Sequence, residues 1–240
     1  MPTQKTIKLD KKALKKNELA IFVDHTMQYV RKNPKTIIIP LVVIVIGLVF
    51  IYSTVNYFQG QQKSAELAFL EAMQVYHSAN QSPDKATQTI SYTQCIDKFK
   101  NVAEKYSRTN SGKYAQLYLA DSYFHLGRND EAIKIYQDIL RRIPRGFTAA
   151  WAQISLGYVY TNQNNFPKAI TAFDQLVIRH PDSFLIPEAL VQLGKSYEQT
   201  GDFAKAKDCY TRVLKTYPTS GWASEATGRL TALPGARPNI

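Results

Sequence analysis

The stretch GYVYTNQNNFPKAITAFDQLVIRHP, residues 157–181, reads as two helices joined by a tight turn, and it has two copies in the same chain. ADSYFHLGRNDEAIKIYQDILRRIP fills residues 120–144 and GKSYEQTGDFAKAKDCYTRVLKTYP fills 194–218, at a constant offset of 37 residues. Ala120, Gly157 and Gly194 align, as do Tyr123, Tyr160 and Tyr197, then Ala132, Ala169 and Ala206, then Tyr136, Phe173 and Tyr210, and finally Pro144, Pro181 and Pro218. Each position has a physical reading. The small residue lets the first helix of a pair approach the second closely, and the later alanine is its counterpart on that second helix. The tyrosine and the later aromatic fill the space between neighbouring pairs. Gly127 and Gly201 supply the positive φ that ends a helix, with Asn164 in the middle copy. The prolines stop each second helix.

Small-x-x-Tyr, then Ala-x-x-x-aromatic, then Pro is the tetratricopeptide pattern, a helix–turn–helix unit of ~34 residues that stacks on its own copies. The three extra residues are expected in the loop after each proline. The fold class that follows is all-α, an α-solenoid with repeats at 113–146, 150–183 and 187–220. A degenerate repeat at 62–110 precedes them, with Cys95 at the small position, Phe99 at the aromatic one and a first helix over Ser64–Ala79. Residues 80–87 would lengthen its turn. A capping helix at 221–232 closes the stack, as terminal repeats are expected to do.

The second organising feature precedes the repeats. No charged residue occurs from Thr36 to Gln62, and Ile, Val and Leu dominate. A transmembrane helix needs ~20 such residues, so residues 36–58 are predicted to span a membrane, with Pro40 in the first turn and Tyr52, Tyr57 and Phe58 toward one interface. The polar stretch ahead of this run and the run's length argue against a cleaved signal peptide. Residues 1–35 carry nine Lys or Arg and three acids, hence +6 of the chain's net +11. The positive-inside rule then places this arm in the cytoplasm and residues 59–240 outside it. Residues 1–16 are expected to be mobile. Glu18–Lys32 is patterned as a helix with Leu19, Phe22, Val23, Met27 and Val30 on one stripe, either lying on the inner leaflet or docking a membrane partner.

Little in the chain speaks for chemistry. No HExxH, glycine-rich phosphate loop or Gly-x-Ser-x-Gly occurs, and His25, His77, His125 and His180 are scattered without metal spacing. No catalytic, cofactor or metal site is expected, and so no enzyme. Cys95 and Cys209 fall about three repeats apart, beyond the ~7 Å Cα limit for a disulfide. The basic pI follows from the arm, and no groove-reading or base-stacking motif points to nucleic acid.

What remains is a binding surface. First helices line the concave face of such a stack, which nominates Tyr114, Leu117, Phe124, Trp151, Ile154 and Tyr158 as protein-binding residues, followed by Val191, Lys195 and Glu198 in the third copy. Their alternative role is packing between first helices or against an N-terminal helix. The Lys/Asn clamp of repeat domains that bind acidic chaperone tails is missing, its positions holding Leu117, Asp121, Ile154 and Tyr158.

The layout of basic arm, amphipathic pre-helix, span and repeat domain resembles the YfgM-type ancillary subunits of the SecYEG translocon. The span Thr36–Phe58, the segment Gln61-x-x-x-Ala65-x-x-Ala68, and Leu156-Gly157 with Leu193-Gly194 carry the resemblance. It implies a single-pass protein of the bacterial inner membrane, N-terminus in the cytoplasm and repeats in the periplasm. Its implied partners are the SecYEG translocon, periplasmic chaperones and exported chains. The alternative in the same class is a cell-envelope scaffold for cell division or outer-membrane assembly. A remoter one is an enzyme with dispersed chemistry.

Overall fold

The computed structural model describes residues 11–32 and 34–234. These residues form ten α-helices and no strands: α1 Lys11–Lys32, α2 Pro34–Gln81, α3 Lys85–Lys105, α4 Asn110–His125, α5 Asn129–Arg142, α6 Phe147–Asn162, α7 Phe166–Arg179, α8 Ile186–Gln199, α9 Phe203–Thr216 and α10 Ala223–Ala232. The chain divides into two compact units, Met1–Gln59 and Gly60–Ile240.

In the first unit, α1 begins at Lys11, so part of the stretch expected to be mobile up to residue 16 is helical. Lys, Ala and Leu, good helix formers, make up most of it. On the expected stripe, Phe22, Val23 and Met27 are exposed, while the side chains of Leu19 and Val30 lie outside the described ones. Pro40 sits inside α2 rather than in its first turn, because the helix already starts at Pro34. From Ile38 to Phe58 every side chain except Thr54 is exposed. This helix is long and apolar enough to cross a membrane by length and composition.

The second unit is built of antiparallel pairs. Residues of α2 from Gly60 onward pair with α3, burying Ala72, Tyr76 and Ala79 against Tyr92, Cys95 and Phe99. The turn between these helices is shorter than the expected 80–87, because Asp84 caps α3 early. Its carboxylate accepts from the Thr87 backbone N–H at 2.8 Å, satisfying a donor that the helix end leaves unpaired. Pairs α4/α5, α6/α7 and α8/α9 follow, and α10 packs on α8 and α9. The extra residues of the 37-residue repeat do not all sit in loops. Helices α4 and α6 are 16 residues long where α8 has 14.

The repeat motif explains the local geometry. Gly127, Asn164 and Gly201 take φ of +72°, +55° and +79°. At each, the following N–H closes the helix end onto the motif tyrosine's carbonyl: Arg128 to Tyr123, Asn165 to Tyr160 and Asp202 to Tyr197, all at 2.8–2.9 Å. The second helix then starts on a side-chain cap in two of the three units, from Asn165 and Asp202. The residue before each proline leaves the helical region, as with Tyr217 at φ −131° and ψ 49°, because a following proline disfavours helical geometry.

The motif's packing differs from the expected one in one respect. The small residue accommodates the later aromatic of its own unit. A Cβ added at Gly157 would fall within 3 Å of the Phe173 ring, and one at Gly194 within 3 Å of Tyr210. Both rings are fully buried. The motif tyrosine is the residue that reaches the neighbouring unit: Tyr160 Oη accepts from Gln137 Nε2 of the preceding pair at 3.3 Å. Each motif ring also carries a cation from its own unit, with Arg128 over Tyr123, Lys168 over Tyr160 and Lys205 over Tyr197 at 4.5–5.5 Å. Such pairs add roughly 0.5–1 kcal/mol each at exposed sites.

Candidate protein-binding groove

The first helices α4, α6 and α8, with the Phe69–Tyr76 stretch of α2, enclose a groove of about 540 Å³. Its size suits a ligand burying a few large side chains. Five of the six nominated residues line it: Tyr114, Leu117, Trp151, Ile154 and Tyr158. Their contributions differ. Leu117 and Ile154 are only 3% and 4% exposed, so they form the floor and belong to the core. Trp151, at 36% exposed, stands open, and Tyr114 and Tyr158 are half-buried walls.

Phe124 does not line the groove. It is partly buried against the hydrophobic core, while Tyr118, Asp121 and His125 take the groove-facing stripe of α4. A residue step turns a helix by about 100°, so a stripe displaced by one position moves Phe124 off the face. In the third copy, Val191 is fully buried. Lys195 pairs with Glu225 and Glu198 with Arg229, both at 3.3 Å. Helix α10 therefore occupies the face that α8 would otherwise present.

Several lining residues are not evident from the motif. Phe147 lines the groove and stacks at 6.0 Å on Phe184, one repeat offset later and outside the lining; both stand exposed. That shared offset was a signal available in the sequence. Phe147 also meets Trp151 at 5.5 Å and Tyr114 at 6.0 Å. From α2, Phe69 approaches Tyr118 at 5.7 Å and Tyr76 approaches it at 5.1 Å. Only the folded stack could reveal these.

The groove's polar chemistry is carried by tyrosine–carboxylate pairs. Tyr76 donates its hydroxyl to Asp121 and Tyr158 donates to Glu188. Burial, reinforced by the adjacent carboxylate, pushes both phenols far above their ordinary range, so they stay protonated donors. His125 stacks on Tyr92 at 4.5 Å, with Nε2 3.3 Å from Asp121 Oδ2. Burial also pushes the two thiols up, Cys95 to about 11 and Cys209 to about 12, as expected of packing residues rather than nucleophiles. Among the described residues, no group of three or more His, Cys, Asp or Glu side chains gathers to hold a metal ion.

Comparison with known proteins agrees with this architecture. A tetratricopeptide repeat protein from Parabacteroides merdae superposes with a TM-score of 0.54 at 16% identity, over 70% of this chain and 59% of its own. The apo form of RapI superposes with a TM-score of 0.56 at 10% identity, over 72% of this chain and 48% of its own. The chain thus spans less than two thirds of either structure, and the likeness is one of fold. No curated protein matches by sequence. The family profile described as a tetratricopeptide repeat-like domain matches residues 28–233. With its units, turns and packing glycines in place, the chain belongs to the tetratricopeptide repeat-like domain family.

Proposed function

We propose that this chain is a membrane-anchored, extracytoplasmic adaptor that captures proteins in the groove of its tetratricopeptide-type interaction domain. The observation that carries this reading is the groove itself, which has open aromatic walls over a core floor. Trp and Tyr in such positions are the side chains that dominate protein interfaces. The anchor is the apolar run of α2, whose side chains from Ile38 to Phe58 are exposed apart from Thr54 and suit lipid. The charge of residues 1–35 orients it with the N-terminus in the cytoplasm of a bacterial cell and the repeats in the periplasm. The family match begins at residue 28 and takes in the apolar run, in keeping with anchor and repeats forming one layout.

More specifically, the resemblance of that layout supports an accessory role at the SecYEG translocon, handing exported chains to periplasmic chaperones. Two arrangements test this. A C-terminal alkaline phosphatase fusion should be active, with residues 1–35 retained in the membrane-bound chain. Copurification from native membranes should recover translocon components with the wild-type chain. It should lose exported chains or chaperones when Trp151 and Tyr158 become alanine. An inactive fusion would overturn the topology. Recovery of cell-division or outer-membrane assembly proteins in place of the translocon would assign the adaptor to another assembly.

A further inference from the structure

The groove of a chain with net charge +11 is lined, among its described residues, by no Lys or Arg. Its fixed charges are the carboxylates of Asp121 on α4 and Glu188 on α8. Several acids of the same unit are matched with bases, Glu71 with Lys98, Glu131 with Arg128, Asp138 with Arg141 and Arg142, and Glu198 with Arg229. Among the described residues, neither Asp121 nor Glu188 has a Lys or Arg partner. Each is instead held by a tyrosine hydroxyl, Tyr76 and Tyr158. A phenol donor solvates a carboxylate without cancelling its charge, and these phenols stay protonated. The one ionisable nitrogen in the lining is His125, beside Asp121.

From this charge pattern, we propose that the groove takes a peptide segment of another protein in which a Lys or Arg adjoins large apolar side chains. This deepens the reading of the groove as a partner site and rests on it. The apolar side chains would fill the aromatic trough beside Trp151, and the cation would meet Asp121 or Glu188. The open ring of Trp151 adds a second attraction for a cation. Low-dielectric walls concentrate the field of the two carboxylates, which favours cationic segments on approach as well as in the complex.

The test uses the full chain in detergent micelles and labelled synthetic peptides that share an apolar core of Leu and Trp. The peptides differ only in carrying Lys, Gln or Glu beside that core, and binding is read by fluorescence anisotropy. The Lys peptide should bind about tenfold more tightly than the Gln peptide, and the Glu peptide most weakly. In the Asp121→Asn, Glu188→Gln double variant, the Lys-over-Gln ratio should collapse toward unity. The tyrosines can still donate to the amide oxygens of that variant, so its circular dichroism should match the parent. Equal binding of all three peptides, abolished by Trp151→Ala, would overturn the proposal and leave the partner-site reading intact. No binding of any peptide would overturn both. Binding that appears only after removal of residues 235–240, which include Arg237, would make the chain's own tail the occupant. Self-association blocked by Trp151→Ala would make it a second copy. Either result also overturns the proposal.

Discussion

The second and third repeat units share one lock and present different faces. In both, a glycine on the first helix receives a buried ring from the second, Gly157 with Phe173 and Gly194 with Tyr210. Their first helices then diverge. Helix α6 turns Trp151 and Tyr158 into an open groove, whereas α8 buries Val191 and ties Lys195 and Glu198 to α10. The motif positions therefore build the stack, and the residues between them, together with whatever packs on top, decide whether a face is a site or a seam.

The largest effect should come from attacking the shared lock. Gly157→Leu forces a branched side chain into space already held by the Phe173 ring. Overpacking typically costs ~1–3 kcal/mol and sometimes more, and a fully buried ring with no room to retreat points to about 3 kcal/mol. Gly194→Leu should do the same against Tyr210. Gly228, on α10, has nothing within 4 Å of an added Cβ, so Gly228→Ala should leave stability unchanged or raise it slightly. Thermal unfolding of the full chain followed by circular dichroism measures all three. Equal melting temperatures across them would break the idea of a common lock.

The contrast between faces sharpens next. Trp151→Ala with Tyr158→Ala should weaken partner capture by about 2 kcal/mol, the scale of an interface hot spot, with helicity unchanged. On α8, Lys195→Ala, at the position matching Tyr158, should not affect capture, since that side chain is outside the groove lining and pairs with Glu225 of α10. A smaller loss is expected from Arg229→Ala. It frees α10 from a half-exposed pair with Glu198 and should cost about 0.5 kcal/mol of stability, in the range of surface ion pairs.

The turns give a milder test with the opposite sign. Asn164 holds φ of +55° where the other two units have glycine. Asn164→Gly should therefore be neutral to stabilising by about 0.5 kcal/mol, from relief of the left-handed conformation. A clear loss would mean that the Asn side chain contributes more than its backbone conformation.

The smallest effect is electrostatic. Hydrogen bonds from the Lys205 side chain and backbone hold the Asp202 carboxyl below its ordinary range. Its folded pKa is depressed, so its contribution is present above the unfolded value near 3.9 and disappears as pH falls through the folded one. Asp202→Asn should accordingly lower the neutral plateau slightly and flatten the acid limb below about pH 4, where the parent loses this contribution in any case.

How far the sequence could be read follows from the same division. The repeat, the three left-handed turns and the packing glycines were legible, because each is a local demand that recurs at a fixed offset. Trp151 and Tyr158 were legible as groove residues because helical spacing places them on one stripe. Phe124 shows the limit of that reasoning: a rotation of α4 by one position sends it into packing and brings His125 round instead. Leu117 and Ile154 lie on the right stripe but too deep to project. Tyr76 and Phe69 enter the groove from α2, and α10 closes the third face. These are contacts across a long sequence separation, and no periodicity announces them.

Site-specific photocrosslinking in native membranes tests the central claim most directly. A photoreactive amino acid is placed at Trp151 in one variant and at Lys207, on the exposed side of α9, in another. If the groove is where partners bind, crosslinks to a discrete set of proteins form from position 151 and are competed by a Lys-bearing apolar peptide, while position 207 yields none of them. Equal crosslinking from both positions, or none from position 151 in a chain that still copurifies its partners, would contradict the account.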